Sequence, residues 1–239
     1  YVFLQHSGSD LNTTFTTVFE PYRNERYLKA IDEVPMGIVA GDAKASESAR
    51  ALRIEHTSGR IDYVFYSTDN SVTYEIMLDS GEKLHFRGFV GVYTVQNGAN
   101  TYKYLNDGDI LETVAEGKDA VGTGTFAAIE GKVKKFTETL EEKNEIVITP
   151  NRTVSAGELS GVKGKYIYVD NGTTTRNGSY KIENAYLRGD DIVCELGNVT
   201  VIRQYINSRL PQDGYVYDIE VNQSARIPLT YTEANNPSF

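Results

Sequence analysis

The sequence predicts an all-β protein made of antiparallel β-sandwich units in two consecutive β domains. Three observations carry that expectation. Short runs rich in Val, Ile, Tyr, Phe and Thr recur along most of the chain. Gly, Asn and Asp turn signals separate them at close intervals, as in strands joined by tight hairpins. An apolar content of 40% with 11% aromatics is that of a packed core, and 239 residues suffice for one large or two ordinary domains.

The elements follow in order. Residues 14–19 (TFTTVF) alternate hydroxyl and apolar side chains and predict a strand, which stops at Glu20-Pro21 because proline removes a ladder donor. Residues 43–52 (AKASESARAL) have a helix-forming composition but run into the alternation of Leu52 and Ile54, so a loop followed by a strand is expected. Strands at 50–55 and 62–67 flank Thr57-Ser58-Gly59-Arg60, and strands at 72–78 and 83–87 flank Asp79-Ser80-Gly81-Glu82. Strands at 90–95 and 101–105 flank Gln96-Asn97-Gly98-Ala99, whose Asn-Gly pair tolerates the positive φ of a two-residue turn. Short turns between successive strands predict an antiparallel meander.

Residues 114–124 (VAEGKDAVGTG) lack periodicity and mark a boundary between a β-sandwich portion at 1–113 and a second β domain at 125–239. Strands are expected there at 126–136, 145–149, 165–169, 179–187, 191–196 and 199–206. Asp170-Asn171-Gly172 and Arg188-Gly189-Asp190 supply turns. Segments 215–221 and 225–229 are expected to form a closing hairpin across Asn222-Gln223-Ser224.

The net charge of −9 argues against nucleic acid and anionic membrane surfaces as partners. It also opposes broad electrostatic capture of a polyanion, which would need a local basic cleft. No apolar run is long enough to span a bilayer, so no membrane insertion is expected. The one cysteine, Cys194, lies in Ile192-Val193-Cys194-Glu195-Leu196 and reads as a buried strand residue, with no histidine near it in sequence. The chain opens on Tyr1-Val2-Phe3-Leu4, which resembles the middle of a strand and hence a fragment.

The candidates for chemistry are few. His6, His56 and His85 are separated in sequence and sit in unlike settings, each explicable as a surface or paired-strand residue. They lack the close spacing of metal ligands. The acidic turns Asp107-Gly108-Asp109, Asp170-Asn171 and Asp190-Asp191 lack the twelve-residue calcium-loop pattern. No metal, no cofactor and no catalytic residue is therefore assigned. Gly88 and Gly91 are expected at bulges or at close sheet packing. Seventeen tyrosines and no tryptophan leave two readings, half-buried strand residues or sugar-stacking faces. The loop at 20–27 supplies the candidate substrate-binding residues Tyr22, Arg23, Arg26 and Tyr27. Guanidinium groups among phenols can grip a carboxylate or sulfate. The competing reading is a solvated turn whose arginines pair with Glu20 and Glu25.

Residues 2–31, VFLQHSGSDLNTTFTTVFEPYRNERYLKAI, resemble a β-sandwich segment of heparinase II/III-like polysaccharide lyases, with a Ser-Gly turn, a threonine-rich strand and Glu-Pro-Tyr. The order of later motifs is similar: Ser58-Gly59-Arg60-Ile61-Asp62-Tyr63, Phe86-Arg87-Gly88-Phe89, Gly164-Lys165-Tyr166-Ile167, Tyr180-Lys181-Ile182, Asp213-Gly214-Tyr215-Val216 and Arg226-Ile227-Pro228-Leu229. The resemblance implies a parent enzyme that cleaves uronate-containing polysaccharide by β-elimination, with an α-helical toroid preceding such β domains. None of the family's catalytic or metal-binding positions matches this chain.

The expectation is a non-catalytic C-terminal β portion of such a lyase, supporting the catalytic domain and contacting an acidic polysaccharide. It implies a secreted, periplasmic or cell-surface location. A stand-alone carbohydrate-binding module and a structural or adhesive surface domain are the alternatives.

Overall fold

The computed structural model describes residues 5, 7–9, 13, 15–42, 49–115 and 128–234. The architecture is nearly all β, in antiparallel sheets with a sandwich-like arrangement. A six-stranded sheet has the order β1 (Leu28–Val34), β3 (Ala49–His56), β4 (Ile61–Ser67), β7 (Val90–Gln96), β8 (Ala99–Asn106), β19 (Thr230–Ala234). Facing it is a four-stranded sheet of β2 (Gly37–Ala40), β5 (Thr73–Met77), β6 (Lys83–Arg87) and β9 (Ile110–Val114). Alternate residues of these strands are apolar, so each sheet has one face that must be buried against another. Phe65 of β4 stacks on Phe86 of β6 with ring centroids 5.0 Å apart, among buried Tyr63, Tyr74, Leu84, Leu105 and Leu111. Each such side chain contributes about 1.5–3 kcal/mol by leaving water. Gly91 keeps the layers close, since a Cβ there would lie 2.9 Å from the Phe86 ring.

The hairpins β3–β4, β5–β6 and β7–β8 form as expected. Asn97 and Gly98 both take positive φ, 53° and 77°, which the tight turn requires. The expected meander is instead divided between two sheets. β4 pairs with β7, while β5 crosses to the facing sheet. Lying side by side, β4 and β5 would leave their apolar faces uncovered, whereas lying face to face they cover each other. Residues 15–19 form no strand, and Phe19 is 76% exposed. Alternation supplies a propensity, but a strand also needs a ladder partner, and this segment has none among the described residues. Residue 14, residues 43–48 and residues 116–124 of the expected boundary lie outside the described residues.

The second unit is a seven-stranded sheet with the order β13 (Ser179–Lys181), β12 (Tyr166–Val169), β18 (Ser224–Pro228), β10 (Ala128–Phe136), β11 (Asn144–Pro150), β15 (Asp191–Gly197), β14 (Asn184–Arg188). The ribbon β16 (Ile202–Tyr205) and β17 (Tyr215–Tyr217) accompanies it. Its core gathers Ile129, Ile146, Ile148, Ile167, Ile192 and Ile227, with Leu159 from the short helix α1 (Ala156–Ser160). Ser155 and Glu158 form a reciprocal capping box that starts this helix. Cys194 is buried in this core, and burial pushes its thiol pKa up to about 12.

The expected closing hairpin does not form. β17 pairs with β16, and β18 enters the sheet between β10 and β12. Ala225 and Ile227 are buried, and a strand with such residues is better covered inside a wide sheet than in a two-stranded ribbon.

The chain then returns to the first unit. β19 adds to β8 in the register Thr230↔Asn106 through Ala234↔Tyr102, so residues 230–234 complete the first sheet. The joint is fastened by Asp107 N–H donating to Leu229 O at 2.9 Å and by a bidentate ion pair between Arg226 and Asp107.

Candidate functional site

β12 carries Tyr166 and Tyr168 two residues apart, hence on one face of the strand. Ile167 and Val169 occupy the buried face, which turns both tyrosines outward, 44% and 48% exposed, with ring centroids 6.4 Å apart. The outer surface of the first sheet contributes Tyr104 from β8. Phe89 joins it from the link between β6 and β7, edge-on to Tyr66 at 5.2 Å. Phe89 is held there because its N–H donates to Asn106 O at 3.0 Å and its carbonyl accepts from Ser67 N–H at 2.9 Å. Gly88 and Gly108 permit the close crossing beside it. A Cβ on Gly108 would lie 2.4 Å from the Gly88 Cα.

Because β18 and β19 are joined through Leu229, these surfaces meet in a crease of about 630 Å³, lined by Phe89, Tyr104, Tyr166 and Tyr168 around Lys165, Asn106, Arg226 and Thr230. Tyr168 and Arg226 also border a larger polar groove of about 1280 Å³. This groove runs over β18 towards the β12–β13 loop with Lys132, Asn151, Asn171 and Arg176. The combined surface is a strip of aromatic faces edged by hydrogen-bonding groups, suited chemically to stacking on a ring with hydroxyls at its rim.

Two cations at the crease differ. Burial acts against the charge of Arg226, but its hydrogen bonds to Asp107, helped by Glu130 at 3.5 Å, outweigh burial and raise its pKa. Lys165 stands at the entry to β12, where its Nζ donates to Thr230 Oγ1 at 2.7 Å. Thr230 Oγ1 also accepts from Asn106 Nδ2 at 3.2 Å. Burial lowers the Lys165 pKa, and among the described residues no carboxylate pairs with it.

The four residues singled out in the sequence lie elsewhere, ahead of β1. Arg26 Nε donates to Glu20 Oε2 at 2.6 Å, and Glu20 Oε1 accepts from the backbone N–H groups of Tyr27 and Leu28 at 2.8 and 2.7 Å. Glu20 thus organises the turn and occupies Arg26. Tyr22 and Arg23 are exposed, and Tyr27 stacks against His56 at 6.1 Å. His56 Nε2 lies 2.8 Å from Asp62 Oδ2, at the β3–β4 hairpin. His85 Nε2 lies 2.9 Å from Glu75 Oε2 on the facing sheet, so the two histidines are on different sheets, each with its own carboxylate. His6 lies outside the described residues.

The acidic turns have local partners. Asp107 holds Arg226, Asp109 holds Arg87, Asp191 accepts from Lys134 and Thr149, and Asp170 caps the N–H of Gly172. Among the described residues no group of three or more His, Cys, Asp or Glu side chains could hold a metal ion, and no helix is long and apolar enough to cross a membrane.

Tyr104, Tyr166 and Tyr168 belong to the tyrosines for which the sequence leaves a sugar-stacking reading open, whereas nothing in it singles out Phe89, Lys165 or Arg226 as binding residues. The Tyr166-Ile167-Tyr168 alternation signals two outward rings, but nothing local brings them to Phe89 and Tyr104. No protein-family model, curated protein or solved structure matches the chain.

Proposed function

We propose that the chain is a glycan-binding β portion of a polysaccharide lyase of the heparinase II/III type, which holds acidic polysaccharide in the crease and leaves β-elimination to other parts of the parent enzyme. The observation that carries this reading is the convergence of Tyr166 and Tyr168 with Phe89 and Tyr104 on one groove edged by Lys165 and Arg226. Outward tyrosines at positions two apart present flat apolar faces at strand spacing, about 7 Å, to successive rings of a polymer. Acid–base catalysis needs a titrating group within hydrogen-bond reach of the reacting proton. His56 and His85 are each engaged with their own carboxylate and neither lines the crease, whose titratable groups are Lys165, three tyrosines, and Asp107 with the Arg226 that holds it. The same groove would serve a stand-alone carbohydrate-binding module. In either role the chain works where such polymers occur: secreted, periplasmic or at the cell surface.

Affinity electrophoresis of the chain through gels containing uronate polymers tests the reading, alongside an ultraviolet assay for unsaturated uronate product. Retardation without product, lost in Tyr168→Ala, is expected. Unretarded migration in every polymer sinks the binding role, and product formation by this chain sinks the division of labour.

A further inference from the structure

The charges along the crease and the adjoining groove are balanced. Four cations (Lys132, Lys165, Arg176 and Arg226) face three lining carboxylates (Asp107, Glu130 and Asp170) with Glu220 beside Arg176, an even balance in a chain of net charge −9. Two of the cations are paired with carboxylates. Arg226 is paired with Asp107 and approached by Glu130, and Arg176 lies 3.4 Å from Glu220. Lys132 and Lys165 each donate to a neutral hydroxyl, of Ser224 at 2.9 Å and of Thr230 at 2.7 Å. They differ in place, because Lys132 is exposed in the adjoining groove whereas Lys165 is half-buried in the crease itself. An ammonium has three N–H donors, so two remain on Lys165 for a ligand. The site stands beside Tyr166 and Tyr168, where a stacked sugar would bring its substituents.

We infer that Lys165 is the charge-reading donor of the crease and that it selects glycans whose carboxylates are spaced singly along the chain over densely sulfated ones. This inference rests on the glycan-binding reading above. One carboxylate on Lys165 takes up the one crease cation that no carboxylate pairs. A further anion in the crease would meet Asp107 and an Arg226 already paired with it, and the next cation without a carboxylate, Lys132, stands in the adjoining groove among Glu130 and Asp170. The arrangement also fixes a kinetic and ionic signature. Binding through one ion pair depends weakly on salt, with a log–log slope of about one, whereas capture of a polyanion by many cations gives a steep slope.

The full chain would be titrated calorimetrically with three polymers: an unsulfated glycan alternating uronate with N-acetylhexosamine, its carboxyl-reduced form, and heparin. The wild type is expected to bind the unsulfated acid about tenfold more tightly than the reduced form, as one charge-assisted hydrogen bond allows, and no less tightly than heparin. Lys165→Met should bind the acid and its reduced form alike, Lys165→Arg should restore part of the difference, and Tyr168→Ala should weaken both. The inference is overturned if Lys165→Met keeps the tenfold preference or if heparin binds at least tenfold more tightly than the unsulfated acid. Loss of binding in Tyr168→Ala would leave the crease reading standing in those cases. If the wild type binds none of the polymers, or Tyr168→Ala binds as the wild type does, the crease reading itself fails and the inference with it.

Discussion

Asp62 illustrates how single residues are fixed in this protein. It is 7% exposed on β4, an unfavourable place for a carboxylate, and burial alone would raise its pKa. Hydrogen bonds from Arg60 Nε at 2.9 Å and Thr94 Oγ1 at 2.6 Å, together with His56 at 2.8 Å, outweigh burial and lower it instead. A carboxylate with a depressed folded pKa contributes stability that is present above the ordinary aspartate range and is lost as pH falls through the folded value. Asp62→Asn is therefore expected to lower stability at pH 7 by about 2 kcal/mol and to flatten the acid limb of a urea-midpoint profile. An acid limb as steep as that of the wild type would remove Asp62 from this account. The alternation around Asp62 was legible in the sequence, but its partner Thr94 lies on a strand 32 residues away. Arg26 and Glu20 show the converse, since the turn reading of their pairing needed only neighbours six residues apart.

At the scale of elements, hairpins were readable and their neighbours were not. The Asn97-Gly98 turn announces β7–β8, because few residue pairs adopt two consecutive positive φ angles at low cost. The place of β18 between β10 and β12 has no such local signal. Nor has the close approach of β10 to β11 at Gly131, which pairs with Ala225 of β18 on one side and Pro150 of β11 on the other. A Cβ there would lie 2.4 Å from Thr149 O and 2.9 Å from Pro150 Cα, both backbone atoms that cannot swing aside. Gly131→Ala should cost about 1–3 kcal/mol, read as a lower urea midpoint at unchanged slope. An unchanged midpoint would mean that β10 shifts without consequence. The helix α1 is a milder case. Its Ser155-x-x-Glu158 capping box is written in the sequence, though five residues surrounded by strand patterns make a faint signal.

For the whole molecule, the seam matters most. The chain leaves the first unit after β9, builds the second, and comes back as β19 on the open edge of β8. The Arg226–Asp107 pair closes the same joint across 119 residues of sequence. Units joined in this way should unfold together. Far-ultraviolet dichroism and tyrosine fluorescence are expected to give one coincident urea transition for the full chain. A chain ending at Leu229 should give two separated transitions, because β19 and the Thr230 contacts are gone. Coincident transitions in the shortened chain would show that the seam does not couple the units. The crease belongs to this scale as well, since its walls come from β12 in one unit and β8 with the Phe89 link in the other.

By itself the sequence determined what depends on short range: the all-β class, the turns of the β3–β4, β5–β6 and β7–β8 hairpins, which side chains of a strand share a face, and the burial of Cys194. Period-two alternation and turn chemistry act over a few residues and need no distant partner. Only the tertiary structure decided which strands are neighbours, which tyrosines become core and which become surface, and which cation stands in the crease without a carboxylate partner. Tyr63 and Tyr166 look alike in the sequence, each in a strand of alternating apolar residues, yet one is fully buried and the other stands at the rim of the crease. The reason is physical: a strand's two faces are alike until a second sheet covers one of them, and whether β5 pairs beside β4 or crosses to cover it is decided by the packing of the whole unit.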